Sequence, residues 1–178
     1  TAKELDPALK SGIILLDSQS NTYKFLNPRV RETAYSMLDE VDRVYIHLKL
    51  GRYLLQQTKP AQIEEQIFNL VKHFNIGKKL FLVSSFTPRL AEFNLIAAKK
   101  AKAAIAYEVA ANYLNIALEL LSPFEWQEHY NLKSNIYLEA SEIQYLQTNF
   151  TFAQQLADVV LTQAKTVFIK TNAYITPK

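Results

Sequence analysis

The sequence predicts a mainly α fold of antiparallel helical hairpins stacked on one another, with one short β-hairpin near the N-terminus. Three observations lead there. Two stretches, AAKKAKAAIAYEVAANYLNIALELL (97–121) and EASEIQYLQTNFTFAQQLADVVLTQA (139–164), read as the same helical hairpin written twice. Each sets small residues mid-helix, then a short break, then an Ala-led apolar stripe: Ala110, Leu114, Ala117 in the first and Ala153, Ala157, Val160 in the second. Self-similarity of this kind marks stacked helix pairs. Finally, two short apolar runs, GIILL (12–16) and YKFL (23–26), flank the polar DSQSNT turn at 17–22, which is the pattern of a β-hairpin.

The elements follow in chain order. AKELDPALK reads as a short helical end that Gly12 stops. A lone hairpin at 12–26 is marginal in water, so it is expected to pack on the helices after it or on a preceding part. Asn27 caps a helix with Pro28 in its first turn, and Val30, Ala34 and Met37 share its apolar face. Asp39 caps the next helix, whose stripe holds Val44, Leu48, Gly51 and Leu55. Pro60 opens a third, with Ile63, Ile67, Leu70, Val71 and Phe74 on one side and Gly77 as its stop.

Thr87-Pro88 reads as a cap followed by proline at the first helical position. Leu90, Phe93, Ala97, Ala101 and Ile105 then track one face, and the following helix runs from Tyr107 to Leu121. A longer helix is expected from Glu125 to about Gln147, and another from Phe152 to Phe168. Short breaks place successive helices antiparallel. The two stripes start 43 positions apart, at Ala110 and Ala153, rather than the roughly 34 of a tetratricopeptide unit. The repeat is therefore irregular, and the array is read as tetratricopeptide-like. Alanines at the crossings let two backbones approach.

Composition narrows the function classes. The apolar fraction of 49% and charged fraction of 21% are those of a globular protein, and three glycines leave little room for disorder. A net charge of +3 without a dense Lys/Arg cluster gives no expectation of nucleic acid as a partner. The absence of cysteine fits a cytoplasmic location, and no apolar run is long enough for a membrane span. The first residue, Thr1, and the abrupt end at Lys178 suggest a piece of a longer chain.

No residue pattern spells out catalysis. His47, His73 and His129 lie on three predicted helices, and none has a second His or Cys three or four positions on, so no metal site is expected. His47 falls on the apolar stripe beside Gly51 as a hydrogen-bonded core or edge histidine; His73 and His129 are expected at the surface or in a groove. Glu64 and Glu65 point apart on a helix, and Glu139 and Glu142 are assigned to a solvated face. Neither G-x-S-x-G nor a P-loop occurs. Lys99, Lys100 and Lys102, with Lys78, Lys79 and Arg89 upstream, form the one basic concentration, suited to an acidic partner or a phosphate-rich ligand. Tyr107, Tyr113, Tyr130, Tyr137 and Tyr145 are expected to fill inter-helix layers, with some able to line a peptide groove. The binding candidates are thus Lys99, Lys100, Lys102, Tyr107 and Tyr137, with no catalytic, cofactor or metal residue.

Four strings carry a resemblance: YKFLNPRVRETAYSML (23–38), EEQIFNLVKHFNIG (64–77), RLAEFNLIAAKKAKAAIAYEVAANYLNIALELL (89–121) and YNLKSNIYLEASEIQYLQTNF (130–150). Together they resemble the helical region of large bacterial signalling proteins that join a serine/threonine kinase, an AAA-type ATPase module, a GAF sensor and a histidine kinase. That family has His-Asp before the arginine of the first string, where this chain has Asn27-Pro28-Arg29. The resemblance implies that residues 1–38 are the C-terminal part of a winged-helix-like element and 39–178 a tetratricopeptide-like array. It also implies a non-catalytic regulatory segment whose partners are other domains of the same chain or signalling proteins. ATP would belong to the parent chain, and no cofactor to this segment. A DNA-binding winged-helix remnant and a small-ligand-sensing helical domain are the alternatives.

Overall fold

Asn27 and Asp39 each cap a helix in the computed structural model, which describes residues 2–18, 22–80 and 84–163. The chain divides into two units, one ending at Arg43 and the other beginning at Val44.

The first unit opens with the short helix α1 (Asp6–Lys10). Gly12, at φ +69, ends it in a Schellman turn: Gly12 N–H reaches Leu9 O at 3.1 Å and Ile13 N–H reaches Ala8 O at 3.0 Å. Strands β1 (Ile14–Asp17) and β2 (Thr22–Phe25) pair antiparallel, with Ile14 opposite Phe25 and Asp17 opposite Thr22. The expected hairpin is present, its turn lying partly outside the described residues. Ile14 is its one buried residue, and β2 is exposed along its length.

Helix α2 (Pro28–Ser36) follows, capped as predicted by Asn27, whose Oδ1 accepts from Arg29 N–H at 2.8 Å. Its Val30, Ala34, Met37 face does not form a core, because no residue of α2 is buried and Met37 is 81% exposed. A sound cap and a proline in the first turn hold this nine-residue helix; packing of its apolar face does not. Asp39 Oδ1 accepts from Asp42 N–H at 2.7 Å and caps α3 (Glu40–Gln57), the helix within which the division falls.

In the second unit α3 is followed by α4 (Ile67–Gly77), α5 (Thr87–Ala103), α6 (Tyr107–Leu121), α7 (Tyr130–Leu146) and α8 (Phe150–Gln163). α5 packs most extensively on α6 and α7 on α8, while α6 on α7 and α4 on α5 join the hairpins into a stack. The predicted stripes are the seams: Ala110, Leu114, Ala117, Ala153, Ala157 and Val160 are all buried. Ala110, Leu114 and Ala117 join Leu70, Phe74, Leu90, Ile136 and Ile143 in a continuous apolar core that Leu156 of α8 extends. Burying a side chain of this size stabilises the fold by about 1.5–3 kcal/mol.

Several boundaries differ from expectation for physical reasons. Pro60 opens only a 3₁₀ turn, Pro60–Gln62, tied by Ile63 N–H to Pro60 O, and α4 begins at Ile67. Thr87 is the first helical residue of α5 and not its cap; its Oγ1 accepts from Ser84 N–H at 3.2 Å, one turn upstream. The segment before Tyr130 forms turns instead of helix, and the buried Lys133 Nζ donates to Phe124 O within it at 2.6 Å. Helix α8 begins at Phe150, and the expected end at Phe168 lies outside the described residues.

Gly77 is not a left-handed stop. Gly12 alone of the three glycines has positive φ, and a Cβ at Gly77 would meet Leu48 Cβ at 3.2 Å. Gly51 is matched to it, since a Cβ there would meet the Phe74 ring at 3.1 Å. Two absent side chains, one on each helix, thus let α3 and α4 approach. Ile105 also leaves the predicted face of α5: it is 73% exposed, with φ 60, in the turn to α6.

Candidate functional site

The basic concentration read from the sequence disperses in three dimensions. Lys78 pairs with Glu119 of α6. Lys100 Nζ donates to Glu64 O at 2.9 Å and lies 5.6 Å from the Phe68 ring centre. Lys102 reaches α7, where its Nζ donates to Glu142 Oε2 at 3.0 Å and pairs with Glu139. Lys99 is exposed. Lys100 and Lys102 are thus held by different partners, while Lys99 stays in solvent.

Glu139 and Glu142 are consequently not a solvated face. They stand one turn apart on α7 and close on the single ammonium of Lys102. Burial alone would lower the Lys102 pKa, but the hydrogen bonds and charges of Glu139 and Glu142 outweigh it and raise the value above that of an ordinary lysine. The triad holds α5 against α7 and leaves Lys102 committed within the fold. Glu64 and Glu65 remain exposed, as expected.

The tyrosines divide as predicted into layer-filling residues. Tyr107, Tyr113 and Tyr137 pack against the core, Tyr113 stacking on Phe68 at 6.0 Å and Tyr137 meeting Trp126 tilted at 5.1 Å. Burial raises the pKa of both Tyr113 and Tyr137. Tyr145 meets Phe150 edge-on at 5.2 Å across the α7–α8 turn. Tyr107 and Tyr137 are partly buried against the core.

Two polar pairs went unseen in the sequence. His47 of α3 and His73 of α4 meet at 2.8 Å between their Nδ1 atoms, with ring centres 4.9 Å apart. One ring donates and the other must keep a free lone pair, so the pair holds at most one positive charge. Burial lowers both pKa values; Lys72 lowers that of His47 further, and His47 and then Lys72 that of His73. His129 stands apart, edge-on to Phe124. Asn75 and Asn94 exchange two amide hydrogen bonds between α4 and α5, at 2.8 and 2.9 Å. Amphipathic periodicity assigns His73 and Asn75 to an outer or groove position, and only the close approach of neighbouring helices gives them partners.

A concavity of about 390 Å³ lies between α3 and the start of α5. Arg52, Gln56 and Arg89 line it with Ser84 and Ser85, over a floor that includes Leu48 and Phe74. The sequence reading grouped Arg89 with distant lysines and did not single out Arg52. Among the described residues no set of three or more His, Cys, Asp or Glu could hold a metal ion, and no helix is long and apolar enough to cross a membrane.

No family model matches the chain, and no solved structure matches it. Over 167 aligned positions it is 26% identical to the protein named Hybrid signal transduction histidine kinase G of Dictyostelium discoideum, across 80% of this chain. The chain spans only 5% of the length of that relative. It is therefore similar, at a distance, to one segment of a signal-transduction histidine kinase.

Proposed function

We propose that the chain is a non-catalytic regulatory and protein-interaction segment of a multidomain signal-transduction kinase, linking an ATPase module to sensor and histidine kinase domains. The observation that carries this reading is the match to a signal-transduction histidine kinase in which the aligned segment is a twentieth of the whole. The fold supports it: two stacked hairpins, α5–α6 and α7–α8, give an extended helical surface of the kind that binds other proteins. The buried stripes Ala110, Leu114, Ala117 and Ala153, Ala157, Val160 build such a scaffold. The hairpin at β1–β2 offers little to DNA, since Lys24 is ion-paired with Asp17 at 2.8 Å.

The experiment is binding in trans. The purified chain is immobilised, and the ATPase and histidine kinase modules of the protein that carries it are passed over separately. Saturable binding to at least one module is expected. Failure of both to bind, with the chain folded by circular dichroism, would contradict the reading.

A further inference from the structure

We propose that the concavity between α3 and α5 is a binding site for a small organic phosphomonoester, with its phosphoryl group held by Arg52 and Arg89 and its apolar body lying against Phe74 and Phe86. The inference goes beyond the interaction role and does not depend on it.

Charge is the first argument. Arg52 comes from the exposed side of α3 and Arg89 from the first turns of α5, and both line the same concavity. Among the described residues neither has a carboxylate within ion-pair distance, in contrast to Lys78 and Lys102. Arg89 has an aromatic neighbour instead, its guanidinium 5.4 Å from the Phe93 ring centre. Two guanidiniums beside one cavity and unmatched by an anion suit a dianion, whose three oxygens accept forked N–H donors. A carboxylate supplies half that charge and fewer acceptors.

Shape and hydrogen bonding are the second. Ser84 and Ser85 add hydroxyls at the wall where α5 begins. Ser84 Oγ accepts from Phe86 N–H at 3.3 Å and Ser84 O from Thr87 N–H at 3.0 Å, which fixes this wall at the start of the helix. The floor is aromatic: Phe74 and Phe86 meet at 4.8 Å between ring centres. A cavity of about 390 Å³ takes a small molecule with a ring next to its phosphate. Polar rim and apolar floor together select an ester over inorganic phosphate.

Titration of the whole chain with phenyl phosphate, followed by calorimetry and by amide NMR shifts, tests the site. Saturable binding is expected, weaker by about tenfold in Arg52→Gln and in Arg89→Gln. Arg52 is exposed, so the Arg52→Gln chain should melt with the wild type and isolate the loss of binding from loss of fold. Inorganic phosphate and benzyl alcohol should each bind more weakly than the ester. A short phosphotyrosine peptide distinguishes two sources of the same chemistry: tighter binding than phenyl phosphate places the ester on a protein, weaker binding on a free metabolite. No saturable binding of phenyl phosphate or of the peptide, equal binding by the arginine variants, or equal binding by benzyl alcohol would overturn the proposal.

Discussion

Ile105 and Thr148 stand at the same point of two successive helical hairpins and adopt the same left-handed backbone, φ 60 and φ 64. The hydrogen bonds around them repeat in register. In the first turn Ala106 N–H closes on Ala101 O at 3.0 Å, matched in the second by Asn149 N–H to Gln144 O at 2.9 Å. Ile105 N–H to Lys102 O and Thr148 N–H to Tyr145 O, both 2.9 Å, complete two Schellman turns. The resemblance between the hairpins thus extends from their apolar stripes to their backbone geometry. Gly12 fills the equivalent slot after α1, where a left-handed residue carries no steric penalty.

A β-branched residue in that conformation is strained, at about 1–2 kcal/mol for an L-residue. Ile105 is 73% exposed, so its side chain offers little burial in compensation. Ile105→Gly is therefore expected to stabilise the chain by about 0.5–1 kcal/mol, the relief of strain exceeding the entropy glycine loses on folding. Thr148→Gly should act in the same direction. Chemical denaturation checks both, and an unchanged or lowered midpoint would contradict the account of the turns.

The Asn75–Asn94 pair predicts strong coupling. Asn94 is fully buried, and its amide also donates to Leu90 O at 2.9 Å. Asn94→Ala leaves the Asn75 amide facing a wall without its partner and should cost about 2 kcal/mol. Asn75→Ala should cost a similar amount by orphaning Asn94. The double variant should cost less than the sum of the two, by about 1 kcal/mol. Additive losses in a double-mutant cycle would show that the two amides act independently.

Acid should weaken the unit through His47 and His73. Both pKa values are depressed in the fold, by burial first and by neighbouring positive charge second. The unfolded chain therefore takes up protons before the folded one as pH falls below about 6.5. The stability these histidines contribute is complete above that value and is lost as pH falls through their lower folded pKa values. Melting temperatures measured from about pH 7.5 to about pH 5 should fall less steeply in His73→Gln, which cannot take up the proton, than in the wild type. Equal slopes would contradict the prediction.

Much of this fold is legible because it is local. The helix Tyr107–Leu121 and the stripes around Ala110 and Ala153 follow from periodicity, and the caps at Asn27 and Asp39 from short-range hydrogen bonding. The remainder depends on what lies across a helix crossing. Glu139 and Glu142 look solvated until α5 places Lys102 between them. Gly77 resembles a helix stop because nothing in the string 64–77 says that Leu48 will lie over it. Ile105 continues a helical face in sequence, and only the Schellman turn takes it out. The partners of Lys100 and Lys102 likewise come from other segments, at Glu64 and at Glu139 and Glu142.

Under the proposed function this segment acts by binding and performs no phosphoryl chemistry of its own. Incubating the purified, folded chain with magnesium and γ-labelled ATP tests it most directly, by counting released phosphate and label retained on the protein. Both should stay at the buffer background. Phosphate release above background, or label on the chain that survives denaturing electrophoresis, would contradict it.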